Sequence, residues 1–395
     1  MHTRDGDTEL SQELESVPPS PARPARLHPF RGLRLAPAKV ADPSAARALA
    51  RPYREVARRL ASWQSEGLME LDDAPALYLH EYTVHGITIR GLVGALDLST
   101  RATTLEESAV LPHEDIHFAQ AGDLASRMYE MGLDPAPILL VHRGPTEIRS
   151  LIRDTADSLP DHEFRDGAGQ EHRIWALRDT RQLQTIAHSL ADSTLLIADG
   201  HHRYAAYLEL QEARRPGWDR GLAMVVDQED TPLFLGAIHR VLHQVRLDAV
   251  AQAAAATGRV TWNGDRMSAL AKLGPRSAVA TDGESWLSIE WSLDSEQLSP
   301  LEHLHGDVLP RLRSRAAAHG ASGDASSPRL SYHHSVDSAL EGLHGQHVAV
   351  LLPAPDFELV NRTVQGGRLL PEKATSFQPK PSLGVIMRPV PHTGD

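Results

Sequence analysis

The stretch Thr194 to Leu210, TLLIADGHHRYAAYLEL, admits few local structures. Thr194 to Ala198 form a short apolar run bounded by turn residues, the pattern of a buried strand. Asp199-Gly200-His201-His202-Arg203 then interrupts it with ionisable side chains. From Arg203 onward Tyr204, Tyr207, Leu208 and the alanines recur at helical spacing, up to the stop at Arg214-Arg215-Pro216-Gly217. The predicted unit is a strand, a tight polar turn and a helix start. A helix start leaves backbone N–H groups unpaired and carries the positive end of the helix dipole, so the turn suits an anion. Two imidazoles and a guanidinium there favour a phosphate or a carboxylate. The plainer alternative is that Asp199 caps the helix and Gly200 supplies a positive φ.

The chain has 395 residues, room for two or three domains with a sizeable core. Its net charge of −12 argues against a general nucleic-acid binder, which needs a basic surface. There is no cysteine, so disulfides, thiolate nucleophiles and sulfur-ligated zinc are all excluded. No apolar run approaches a membrane span, and the opening MHTRDGDTELSQ lacks the apolar core of a signal peptide. The expectation is a cytoplasmic protein with a small-molecule substrate and no membrane or nucleic-acid partner. The oligomeric state is not legible.

Hydrophobic periodicity predicts alternating strands and helices, hence a mixed α/β (α+β) fold. Three units are expected: a disordered tail over 1–27, a main domain over 28–245 built on a mixed sheet with flanking helices, and a smaller α/β domain over 246–395 with a Pro-rich ending. Predicted elements include helices over Tyr53–Ser65, Thr180–Ala191 and Pro300–Arg313, the last kinked or broken at Pro310. Strands are predicted over Glu171–Leu177 and, near the end, Gly384–Met387.

Other residues carry chemistry. His113-Glu114-Asp115-Ile116-His117 spells H-E-x-x-H, which on a helix binds zinc through two histidines and activates water through the glutamate. Pro112 instead places it at a helix start, where a polar N-terminus or a pocket role for Glu114 are the alternatives. His239-Arg240 follows a predicted strand and is cationic. Lys373, Thr375 and Lys380 are available to an anion. No Walker loop, G-x-G-x-x-G or G-x-S-x-G motif is present.

These residues together carry a resemblance. Leu196-Ile197-Ala198-Asp199-Gly200-His201-His202-Arg203-Tyr204 resembles the signature of the family called domain of unknown function 1015. Phe30-Arg31-Gly32-Leu33-Arg34, Leu111-Pro112-His113-Glu114, His239-Arg240 and the ending Pro371-Glu372-Lys373-Ala374-Thr375-Ser376-Phe377-Gln378-Pro379-Lys380 are similar to its other motifs. Two positions depart. Arg54 in Arg51-Pro52-Tyr53-Arg54 and Ser335 in Tyr332-His333-His334-Ser335 stand where the family has an acid. The central motif is also similar to the ParB/sulfiredoxin-like strand–loop–helix, which binds nucleotide phosphates, and to that of free serine kinases.

The resemblance implies a phosphoryl-transfer enzyme using ATP or ADP with Mg2+ on a small hydroxylated, serine-like metabolite. Asp199 would be the base, with Gly200, His202 and Arg203 cradling phosphate. To these we add His201 and Glu114 as catalytic groups, His239 and Arg240 as phosphate ligands, and Arg34, His113, Lys373 and Lys380 as substrate or anion contacts. No firm metal set is legible. The alternatives are a non-catalytic nucleotide- or metabolite-binding module and a zinc hydrolase through His113 and His117.

Overall fold

Strand residues of both parities are apolar in the middle of this chain, and that dictates a sheet covered on two faces. A computed structural model describes residues 20–43, 45, 62–292, 298–318 and 328–390. Its larger sheet contains β1 (Leu27–His28), β2 (Leu77–Val84), β3 (Ile87–Asp97), β4 (Val110–Leu111), β5 (Ile138–His142), β6 (His162–Arg165), β7 (Glu171–Leu177), β8 (Leu195–Asp199) and β9 (Arg220–Asp227). The order is β4-β8-β5-β9-β3-β2-β7-β6, with β1 beside β3. β8 runs parallel to β4, and β9 parallel to β5; the remaining pairs are antiparallel. In β8, Leu195 and Ile197 join one apolar cluster while Leu196 and Ala198 join the other. β5 divides in the same way, with Ile138 and Leu140 opposite Leu139 and Val141.

Helices α1 (Phe118–Met131), α2 (Thr146–Ala156), α3 (Thr180–Ala191) and α4 (His201–Glu212) flank this sheet. α1 packs on α4, and α2 on α3. The second sheet is wholly antiparallel: β10 (His239–His243), β11 (Arg259–Asn263), β12 (Ser277–Thr281), β13 (Trp286–Glu290), β14 (Arg329–His333) and β15 (His347–Leu351), in the order β11-β13-β12-β15-β10-β14. No described helix is long and apolar enough to cross a membrane.

β7 and α3 have the limits that the sequence predicts. Several elements differ. His239 and Arg240 follow the strand Phe234–Gly236 as predicted, but they also open β10 themselves. Residues 20–26, predicted within the tail, include bridges from Pro21 to Arg101 and Ala22 to Ser108, and Ala25 is buried. The predicted helix over Tyr53–Ser65 lies outside the described residues except for 62–65, which are helical. The helix after Pro300 is not broken at Pro310. It widens into a π turn over Leu304–Val308 and continues as Leu309–Ala318; the wider turn accommodates a residue with no N–H to donate. Gly384–Met387 forms no strand beyond a single bridge from Met387 to Leu33. Gly384 turns the chain at φ 86, and the strand lies one step later at Arg388–Pro389, paired with Leu133–Asp134.

The ending therefore returns to the first sheet's side. Ser376–Gln378 pairs with Phe234–Gly236, and one apolar cluster runs from Phe30 through the second sheet to Met387. The strands of the first sheet all precede those of the second in the chain; β10 begins at His239, before the expected boundary at 245, and the last residues cross back to pair with Leu133–Asp134.

α4 is anchored on its buried side. The Tyr207 hydroxyl donates to Asp134 at 2.8 Å, and the Leu222 N–H donates to the same carboxylate at 2.7 Å. The Tyr207 ring lies against Gly221, where a Cβ would come within 2.4 Å of it. We predict that Gly221→Ala lowers the unfolding free energy by about 1–3 kcal/mol, since neither the buried ring nor β9 has room to move. Urea unfolding measures this; a change smaller than about 0.5 kcal/mol, as at a surface site, would contradict it.

Candidate functional site

β8 delivers Asp199 to the turn after a register irregularity between Ile197 and Asp199. Gly200 follows with φ 94, a left-handed conformation. A Cβ there would lie 3.0 Å from the Arg203 guanidinium, so glycine also lets Arg203 fold back over the turn. Arg203 Nη2 donates to Asp199 Oδ2 at 2.9 Å, and Lys380 Nζ lies 2.5 Å from Oδ1. Asp199 is thereby held between two cations, with 29 % of its side chain exposed. No side chain caps α4. A partly exposed carboxylate, two cations and an uncapped helix N-terminus meet at one point, as the sequence suggests for Asp199, Gly200 and Arg203.

The segment His113–His117 reaches this turn in extended form, and α1 begins only at Phe118. Glu114 bridges to Leu370, and Leu370 N–H donates to the His113 carbonyl at 2.7 Å. The extended backbone removes the helical i, i+4 pairing that a zinc site of this type requires. His113 is buried 2.7 Å from Thr375 Oγ1, whereas His117 is exposed and lies 2.9 Å from Glu372 Oε2. Burial pushes His113 down to about 4, so it offers no positive charge to an anion at neutral pH.

Glu114 lies 3.3 Å from His201 Nδ1 and accepts the Ala374 N–H at 3.0 Å. Burial pushes its carboxyl up to about 7, helped by the charges of Asp199 and Glu372 and opposed by the Ala374 N–H and Lys380. His201 is itself buried, edge-on against His113 at 4.6 Å between ring centroids. Burial holds it far below the ordinary imidazole range, reinforced by His113, His202 and Lys380. His201 is therefore neutral at pH 7, which corrects the expectation that it adds charge to the turn. His202 is also lowered, chiefly by burial, and its Nε2 accepts the His117 N–H at 3.2 Å.

The C-terminal segment from Leu370 to Lys380 lies across the site as a strap. Arg240 fixes it, donating to the carbonyls of Glu372 at 3.1 Å and Lys373 at 2.9 Å, and to Ile238 at 2.7 Å. Arg240 is fully buried and His239 accepts the Leu352 N–H at 3.2 Å, so both serve the fold rather than present charge to a phosphate. The Tyr82 hydroxyl donates to the Pro379 carbonyl at 2.7 Å just before Lys380. Lys373 stacks 4.3 Å from the Tyr332 ring centroid, with Arg240 4.7 Å from the same centroid. Arg34 is not brought to the turn. Its guanidinium pairs with Asp72 at 2.6 Å and Glu70 at 3.4 Å, and no hydrogen bond or ion pair links it to the turn among the described residues.

Sequence reasoning missed Glu372, which contacts His117 and acts on Glu114 and His202. It also missed Tyr82 and Tyr332. Glu372 and Tyr332 lie inside quoted motifs, so a signal existed; Tyr82 has none apart from the strand pattern. Of the two departures, Arg54 lies outside the described residues. Ser335 is the N-cap of the helix Val336–Leu340, accepting the Ser338 N–H. Serine and aspartate are near-equivalent as N-caps, so the cap itself does not need an acid there.

Among the solved structures that resemble this chain at low identity are the following three. A mutant free serine kinase in complex with AMP is 17 % identical with a TM-score of 0.41, covering 75 % of this chain and 92 % of its own. SbnI with a C-terminal truncation from Staphylococcus aureus is 12 % identical with a TM-score of 0.41, covering 77 % and 90 %. A conserved hypothetical protein from Pyrococcus furiosus is 17 % identical with a TM-score of 0.38, covering 75 % and 95 %. No curated protein is significantly similar. The family model described as protein of unknown function (DUF1015) matches residues 22–304, a span that holds the larger sheet, Glu114 and the whole Asp199–Arg203 turn, and this chain belongs to that family.

Proposed function

We propose that the protein transfers a phosphoryl group between a nucleotide and a small hydroxylated metabolite. The observation that carries this reading is the approach of Glu114, raised to about 7, to a turn where Arg203, Lys380 and an uncapped helix start converge on Asp199. Phosphoryl transfer asks the protein chiefly for positioning and for positive charge around the moving group. Arg203, Lys380 and the first amides of α4 supply both.

The base role that the family resemblance gives Asp199 passes to Glu114 in this reading. Both Asp199 oxygens are engaged, so Asp199 orients the two cations. Glu114 sits in a drier environment and is matched to accepting a proton near neutral pH. In the transfer, the substrate hydroxyl proton passes to Glu114 and its oxygen bonds to the terminal phosphorus. The bond from that phosphorus to the bridging oxygen breaks, and the nucleotide leaves with the electron pair. His201, neutral and 3.3 Å away, orients Glu114. With both oxygens bound to cations, Asp199 does not fit a Mg2+ ion as well; an ion carried by the nucleotide would be held by the phosphates and would supply charge neutralisation there.

Calorimetry with ADP and with ATP in Mg2+, followed by 31P NMR of mixtures with hydroxy amino acids and other small alcohols, tests this. We expect nucleotide binding that Arg203→Ala weakens by about tenfold or more, and a phosphorylated product from at least one alcohol. Neither binding nor turnover would sink the proposal. Nucleotide binding without turnover, unaltered by Glu114→Gln, would leave a binding module.

Glu114 gives a second, independent check. Its carboxyl titrates near 7 when folded and near 4.5 when unfolded. The folded state therefore binds the extra proton between those values, and stability falls as pH rises through that window. Glu114→Gln should unfold like the parent at pH 4.5 but be more stable by about 1–3 kcal/mol at pH 8. It should also lose activity by about 10²–10⁴-fold. The parent's rate should rise with pH about a midpoint near 7. Equal stability of parent and variant across this range would refute the buried-carboxylate assignment.

A further inference from the structure

At the other end of β8, a cavity of about 960 Å³ opens between α2, α3 and the helix Phe357–Gln365. Its strand residue nearest the turn is Leu196, three residues before Asp199. At ~3.3 Å per residue that is about 10 Å, and no residue of Asp199–Arg203 lines the cavity, so the cavity is separate from the turn. Its floor is apolar, with Leu111, Val141 and Leu196. Its walls carry amides from Gln184, Asn361 and Gln365, a hydroxyl from Ser189, and the imidazole of His188. One aromatic face, Phe357, completes the outer wall.

We propose that this cavity binds a neutral sugar. Amides and hydroxyls both donate and accept, which matches sugar hydroxyls, each of which also does both. The size lies at the upper end of small-ligand sites, enough for a mono- or disaccharide. The charged residues do not make an anion site. Arg143 is paired with Glu358 at 2.5 Å and rests 5.2 Å from the Phe357 ring centroid, and the other charged lining residues are the acids Glu147 and Asp192.

The cavity is built for binding rather than for hydrolysis. His142 lies 3.4 Å from Ser193 Oγ, but that hydroxyl donates to the Ser189 carbonyl at 3.1 Å and so is not poised to lose its proton to the imidazole. The wall formed by Phe357 and Asn361 follows β15 of the second sheet, whereas the remaining walls belong to the first. A sugar held by both would bridge them, alongside the Arg143–Glu358 pair. This inference does not rest on phosphoryl transfer at the turn.

Ligand-observed NMR on the full chain with glucose, galactose, maltose and sucrose tests it, with glucose phosphate and adenosine as comparison arms. We expect at least one neutral sugar to bind in the millimolar range, and Gln184→Ala with Asn361→Ala to weaken it by about tenfold. Ser189→Phe, which fills the cavity from α3, should abolish binding and serves should the double variant unfold. No sugar binding, or binding that none of these variants alters, would overturn the proposal. Tighter binding of glucose phosphate or adenosine than of every neutral sugar would overturn it as well.

Discussion

The contact between Lys380 and Asp199 joins the C-terminal strap to the turn after β8, across 181 residues of sequence. Much of the site's geometry depends on it. Lys380 reaches the turn only because the strap is fixed on the way: at Leu370 by the backbone of His113, at Glu372 and Lys373 by Arg240, at Ala374 by Glu114, at Pro379 by Tyr82. Beyond Lys380, Ser382 donates to Asp166 at 2.5 Å, and Asp166 continues to His172 and His80 through contacts of 3.1 and 3.0 Å. These bonds are largely backbone or buried, and buried polar groups persist only when paired. The strap is consequently as well determined as a strand, although little of it is regular.

The turn and the buried carboxylate need opposite environments, and the fold supplies both within one residue's reach. Asp199 is partly solvated and faces cations. Glu114 and His201 sit behind it in apolar surroundings that disfavour charge on either. A carboxylate desolvated in this way costs stability and gains basicity near neutral pH. His113 and Thr375 close the rear of the pair and bond to each other, whereas His201 Nε2 is buried with no hydrogen-bond partner among the described residues.

Arg240 illustrates how tertiary context overrides local chemistry. A His-Arg pair beside a strand looks like an anion ligand when only charge is considered. Inside β10, the Arg240 side chain has no exposure, and three backbone carbonyls accept its N–H groups. It acts as a peg for the strap. Ser335 teaches the converse lesson: a residue that lacks the expected charge performs the helix-capping task through its hydroxyl.

The sequence by itself determined the mixed α/β class and the strand–turn–helix at Leu195–Glu212 that brings Asp199, Gly200 and Arg203 to one turn. These follow from periodicities of two and 3.6 and from the φ freedom of glycine, all of which are local. The limits of Glu171–Leu177 and Thr180–Ala191 were legible for the same reason. Only the tertiary structure decided that Lys380 belongs to Asp199, that Glu114 is dry, that His201 is neutral and that Arg34 and Arg240 are structural. Burial and long-range pairing set each of these, and neither leaves a period in the sequence. The H-E-x-x-H string shows the limit most directly: its spacing is helical on paper, but pairing with Leu370, 256 residues beyond Glu114, holds it extended.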